Sequence, residues 1–170
     1  MSPQAERTII LEPHKIQQKL ERMAYEICEQ NYNEPELILA GINVKGLFLA
    51  KRLASLLQTI TDIPITVLNL RLDPRDPAHS PVEIDIDESI NGKTVIIMDD
   101  VANTGRTLLF GMKPFLDYLP KKIQVAVLVD RQHKQYPISS DFVGLSLSTT
   151  LQEHIEVDVQ GDQFKSIYLE

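Results

Sequence analysis

Apolar positions along this chain follow two rhythms. Leu37–Ile42 and the stretches 63–70, 95–98 and 123–129 are short, largely apolar runs, and such runs fill the centre of a parallel sheet. Between them the spacing lengthens. Ile16, Leu20, Met23 and Ile27 stand four, three and four residues apart, which predicts an amphipathic helix over about 13–29. A second helical pattern covers 47–57, and Leu108, Leu109, Met112, Phe115, Leu116 and Leu119 form a third. Gly111 and Pro114 interrupt that third pattern, so a kink or break is expected near its middle. Phe142 and Val143 predict a short fifth strand, and the alternating Ile155, Val157 and Val159, followed by 164–169, predict a small strand pair beside the sheet. The alternation of strand and helix makes a doubly wound, mostly parallel five-stranded α/β sheet the economical fold, in a single domain spanning 1–170.

One long stretch lacks a helical pattern. Pro74, Pro77 and Pro81 keep 71–85 out of helix, and 82–86 alternates apolar with acidic residues like the returning strand of a hairpin. A long loop in a compact domain is commonly a functional lid, and Arg71 and Arg75 are the residues that would reach a polyanion. Asn91 and Gly92 mark the turn into the next strand.

Composition narrows the setting. The 170 residues carry 17 Lys plus Arg against 24 Asp plus Glu, and a net charge of −7 argues against nonspecific nucleic-acid binding. A single cysteine, Cys28, leaves no disulfide within the chain and fits a reducing compartment. No apolar run approaches the roughly 20 residues of a membrane span, and the opening MSPQAERTIILEPHK lacks the apolar stretch of a signal peptide. A cytosolic protein without a membrane partner is expected.

The chemistry concentrates in KTVIIMDDVANTGRT, 93–107. An apolar strand ends in adjacent carboxylates, Asp99 and Asp100, and a small polar turn leads into a helical pattern. This predicts a buried strand, then a loop that cradles an anion, then a helix whose N-terminus points at that anion. Asn43, Val44, Lys45 and Gly46 form a second tight turn at the end of 37–42, suited either to a phosphate or to a plain strand-to-helix connection.

VIIMDDVANTGRT resembles the signature of type I phosphoribosyltransferases. AGINVKGLFLAKRLA, IQVAVLVDRQHKQYPI, SDFVGLSLS and the closing SIYLE resemble the group that unites the pyrimidine-operon attenuation regulator PyrR with uracil phosphoribosyltransferase activity. The resemblance covers about 8–169. It implies 5-phosphoribosyl pyrophosphate (PRPP) as donor and Mg²⁺ as cofactor, with a lid over about 71–85 and a hood over about 144–170 completed by the N-terminal segment. Asp99 and Asp100 would take the ribose hydroxyls and offset positive charge at the anomeric carbon. Ala102, Asn103, Thr104, Gly105, Arg106 and Thr107 would hold the 5′-phosphate. Asn43, Val44, Lys45, Gly46 and Arg131 would hold the pyrophosphate, with Lys45 where the PyrR group more often has arginine. Mg²⁺ would be held mainly through PRPP, with Asp99 and Asp158 as candidate ligands.

The departures bear on the acceptor. Purine-specific members carry an aspartate where this chain has Asn103 and a lysine where it has Asp130. Uracil is therefore the expected base, held around Leu147, Ser148 and Thr149, and a hypoxanthine/guanine enzyme is the alternative. RNA binding at Arg22, His133 and Lys134 is a further alternative. That face is diluted, because Tyr25, Gln30 and Ser139 stand where basic residues are expected. A homodimer or higher homo-oligomer is what the resemblance implies.

Overall fold

A computed structural model describes residues 7–85, 90–150 and 153–170. In chain order the elements are β1 (Thr8–Leu11), α1 (Pro13–Asn31), β2 (Leu37–Ile42), α2 (Asn43–Ile60), β3 (Ile65–Arg71), β4 (Glu83–Ile84), β5 (Thr94–Ala102), α3 (Arg106–Gly111), a 3₁₀ turn (Lys113–Asp117), β6 (Lys122–Arg131), β7 (Phe142–Leu147), β8 (Ile155–Gln160) and β9 (Gln163–Leu169). The main sheet has the order β4-β3-β2-β5-β6-β7. Its five long strands run parallel, and the two-residue β4 pairs antiparallel with β3. The fold is thus the doubly wound α/β architecture expected, with one short strand added at the edge. Ile86, part of the returning strand expected over 82–86, lies outside the described residues.

Side chains alternate across each strand, so the two faces of the sheet make separate cores. Leu37 and Leu39 of β2 pack with Ile96 and Met98 of β5 under α1 and α2. Ile38, Ala40 and Ile42 face the other way, with Val95 and Ile97, toward Leu108 and Phe115. Because β2 and β5 are buried on both faces, their sequences read as continuous apolar runs rather than alternating ones.

The helix expected after β5 breaks where Gly111 and Pro114 predicted. α3 ends at Gly111 and the next turn, Lys113–Asp117, is 3₁₀ with Pro114 near its start. β5 itself is longer than its apolar core. It runs through Asp99 and Asp100 to Ala102, because β6 continues to pair with it as far as Ala102 opposite Asp130. The expected edge at Met98 is therefore the place where the strand changes from apolar to acidic, not where it stops.

A second sheet, β1-β9-β8, forms the hood. Ile155, Val157, Phe164 and Ile167 seat it on the α1–α2 core. The boundary expected near 144 shifts to 155, since Phe142–Leu147 pairs in parallel with β6 in the main sheet. Ile167 is fully buried at this seat. Ile167→Ala should cost about 2–5 kcal/mol in urea unfolding; a loss below about 1 kcal/mol would mean the hood sits independently of the core.

Candidate active site

The strand order places β2 first in the parallel set, with β3 on one side and β5 on the other. Ligands in open α/β sheets bind at such a reversal, outside the carboxyl ends of the strands. Here those ends supply the two turns singled out in the sequence, Asn43 to Gly46 after β2 and Asn103 to Thr107 after β5.

Asp99 and Asp100 lie on β5 between the turns, and both are half-buried. The Asp100 backbone N–H donates to Asp99 Oδ1 at 2.9 Å. Burial first, and the adjacent Asp100 carboxylate second, push Asp99 well above the usual carboxylate range, while Lys45 pulls it back. Asp99 thus keeps its proton to higher pH than a solvated aspartate, and a cation arriving beside it favours release of that proton.

The turn after β5 is held from behind. Gln135 N and Tyr136 N both donate to the Thr104 carbonyl, at 3.0 and 3.1 Å. Arg106 N donates to Thr104 Oγ1 at 3.3 Å. Gly105 is buried with φ of 87°, a left-handed conformation that disfavours side chains, and a Cβ there would meet Ile138 at 3.2 Å. α3 has only six residues, so an anion cradle here would rest on loop amides and hydroxyls rather than on a helix dipole.

The turn after β2 differs from its expected form. Helix α2 starts at Asn43 itself, so Asn43 to Gly46 are its first turn, with no side-chain cap and no acidic residue. The first N–H groups of an α-helix have no intrahelical partner. Asn43 adopts φ of 52°, the one positive value at a non-glycine among the described residues. Gly46 packs directly on β5: a Cβ there would come within 2.6 Å of the Met98 carbonyl oxygen and 3.4 Å of Asp99 Cα. Lys45 pairs with Glu156 of the hood at 3.1 Å, above a cleft of about 310 Å³ that Asp158 also lines.

The remaining candidates spread around this centre. Arg71 ends β3 rather than standing in the lid. Its guanidinium takes Asp85 on two nitrogens at 2.8 and 2.9 Å and approaches Glu83 at 3.5 Å. Asp85 holds the Arg71 guanidinium above its ordinary range and is itself held low. Arg75 is exposed beside Asp73, and Arg106 Nη2 reaches back to the Pro74 carbonyl at 2.9 Å. Arg131 donates to the Thr150 carbonyl at 2.7 Å and to Asn103 Oδ1 at 3.4 Å. Leu147 closes β7, Ser148 is exposed, and the buried Thr149 hydroxyl has no hydrogen-bond partner.

Two of the three basic residues assigned to RNA are engaged elsewhere. Arg22 donates to the Val143 and Gly144 carbonyls and to Glu26, and Lys134 folds onto Asp130 and the Arg131 carbonyl. His133 alone is exposed without such a contact. Among the described residues no group of three or more His, Cys, Asp or Glu side chains could hold a metal ion, and no helix is long and apolar enough to cross a membrane.

The chain matches the phosphoribosyl transferase domain model over residues 6–163 and belongs to that family. Among its relatives is the Bifunctional protein PyrR of Bacillus pumilus, 37% identical over 166 residues and 91% of each chain. The Bifunctional protein PyrR 1 of Lactiplantibacillus plantarum is 37% identical over 163 residues, 89% of each. In fold the chain is similar to a hypoxanthine phosphoribosyltransferase of Trypanosoma cruzi, with a TM-score of 0.75 at 17% identity over 98% of each chain. It is also similar to a hypoxanthine-guanine phosphoribosyltransferase of Bacillus anthracis, with a TM-score of 0.70 at 20% identity over 85% of each chain.

Sequence reasoning missed Asn69, an amide in an apolar strand, and Glu156, whose partner is 111 residues away. Asn69 was visible as the one polar interruption of VLNL; nothing local marked Glu156. For Asp99 the raised pKa fixes the sign of a stability effect. The native state binds a proton that the unfolded chain has lost, so this group's contribution falls as pH rises from the ordinary aspartate pKa through the folded value. Asn at 99 still accepts the Asp100 N–H. Asp99→Asn should therefore raise Tm at pH 8, with the gap closing as pH falls toward 4; a pH-independent gap would contradict this.

Proposed function

We propose that the protein transfers the 5-phosphoribosyl group of PRPP to N1 of uracil, giving UMP and pyrophosphate. The observation that carries the donor is the position of Asp99 and Asp100 between the turn at 104–107 and the uncapped first turn of α2. The loop amides, with the Thr104 and Thr107 hydroxyls, hold the 5′-phosphate; Asn43, Val44, Lys45 and Gly46, with Arg131 nearby, hold the pyrophosphate. Asp100 and Asp99 accept from the ribose hydroxyls. As the bond from C1 to the pyrophosphate oxygen lengthens, the negative charge of Asp100, and of Asp99 once its proton has been released, offsets the positive charge growing at C1; uracil N1 bonds to C1 as pyrophosphate leaves, and the N1 proton passes to the departing pyrophosphate. Charge-assisted hydrogen bonds contribute about 1.5–3 kcal/mol each, so the phosphate contacts dominate donor binding.

Mg²⁺ suits this site as an ion carried in by PRPP, since Asp99 and Asp158 could add only one or two carboxylates to its shell. Bound that way it neutralises part of the pyrophosphate charge. The loop between β3 and β4 closes over the donor and excludes water from the reacting carbon.

The acceptor reading is supported by Lys134. Its ammonium is neutralised by Asp130, so it is not free to meet a purine 6-oxo group. Asn103 lacks the basicity to take an N7 proton, and its oxygen already receives Arg131. Leu147, Ser148 and Thr149 border the space for a pyrimidine. The likeness to relatives named PyrR keeps open a second reading, an RNA-binding regulator of pyrimidine genes with little or no catalysis. The engaged Arg22 and Lys134 and the net charge of −7 weigh against it. The working form is a homodimer or higher homo-oligomer in the cytoplasm.

Uracil, hypoxanthine, guanine, xanthine, adenine and orotate, each offered with PRPP and Mg²⁺, should give product with uracil first. The double variant Asp99→Asn with Asp100→Asn should lose turnover while retaining its fold by circular dichroism. Preferred turnover of a purine, or wild-type UMP formation by the double variant, would overturn the assignment.

A further inference from the structure

We infer that Asn69, on β3 and outside both turns, is a positioning residue for the pyrophosphate half of the site. The inference rests on the reading of Asn43 to Gly46 as the pyrophosphate turn. Asn69 is half-buried, and one amide nitrogen, Nδ2, donates to two backbone carbonyls of the neighbouring strand end, Gly41 at 3.0 Å and Asn43 at 2.9 Å. Those carbonyls flank Ile42, where the chain leaves β2 and enters α2. Asn43 holds a positive φ there, a conformation uncommon for a residue with a side chain, and surrounding contacts must maintain it.

Asn43 is held a second time by its own side chain, whose Oδ1 accepts from the Leu72 backbone N–H at 3.0 Å. Leu72 is the first residue after β3 and begins the loop read as the lid. Asn69 Oδ1 also receives Arg71 Nη1 at 3.4 Å, and Arg71 holds Asp85 at the far end of that loop. One amide therefore fixes the turn that aims the α2 N–H groups, and joins it to both roots of the loop that closes over it. The turn after β5 shares none of these bonds. Loss of Asn69 should thus weaken pyrophosphate binding selectively and leave the ribose 5′-phosphate side untouched.

Asn69→Asp provides the sharpest variant, since it keeps the shape, removes the donor and sets a carboxylate against two carbonyls. Asn69→Ala removes the side chain without adding charge. Calorimetric titration of the full chain with Mg²⁺-pyrophosphate and, separately, with UMP reads the two halves. We expect pyrophosphate affinity to fall about tenfold in both variants, the loss of one to two hydrogen bonds, with UMP affinity unchanged. Unchanged pyrophosphate affinity, equal losses for both ligands, or a loss confined to Asn69→Asp would overturn the inference. Wild-type protein that takes UMP but no pyrophosphate would instead overturn the reading of the turn itself, and the inference with it.

Discussion

Backbone lies against backbone where α2 begins, and the site depends on that contact. A Cβ on Gly41 would stand 2.4 Å from the Gly46 carbonyl oxygen, and a Cβ on Gly46 would stand 2.6 Å from the Met98 carbonyl oxygen. Real side chains never approach so closely, so two glycines allow β2, the first turn of α2 and the acidic end of β5 to meet. The buried sheet beneath sets the register, with Gly41 directly opposite Met98. The first turn of α2, the carboxylates of Asp99 and Asp100 and the turn at 104–107 then follow one another across a single edge, the order that the proposed donor requires.

That arrangement carries opposed charges at close range. Burial first, and the adjacent Asp100 carboxylate second, disfavour the charged form of Asp99, which holds its proton more tightly. Lys45 relieves part of the repulsion, yet its ammonium is shared with Glu156 of the hood. The proposed donor, bringing its own cation, would add positive charge beside this pair. The shifted Asp99 and the positive φ of Asn43 are the pattern expected where local stability gives way to function, while the two apolar cores on either face of the sheet carry the fold.

The parallel strands were legible because both faces of β2 and β5 are buried, which leaves continuous apolar runs in the sequence. The break after Gly111 was legible because proline chemistry is local. Less was visible wherever pairing decided the outcome. β5 extends through Asp99 and Asp100 because β6 continues beside it, and no pattern within 93–107 records a neighbour 28 residues away. Phe142 and Val143 were legible as a fifth strand, but its extension to Leu147 follows from pairing with β6 in the same way. The carboxylate pair and Gly105 in the turn at 104–107 stood out by residue type, whereas Asn69 and Glu156 act through partners distant in sequence. Arg71 was read as a lid residue from its place beside three prolines; its bidentate hold on Asp85 makes it the anchor of that loop.

A crystal structure of the protein with PRPP and Mg²⁺ tests whether one sheet edge grips both ends of the donor around the acidic pair. The 5′-phosphate should lie within hydrogen-bond reach of the backbone at 104–107, the ribose hydroxyls on Asp99 and Asp100, and the pyrophosphate against Asn43 to Gly46. A donor bound in the reverse direction, or one seated away from Asp99 and Asp100, would contradict it.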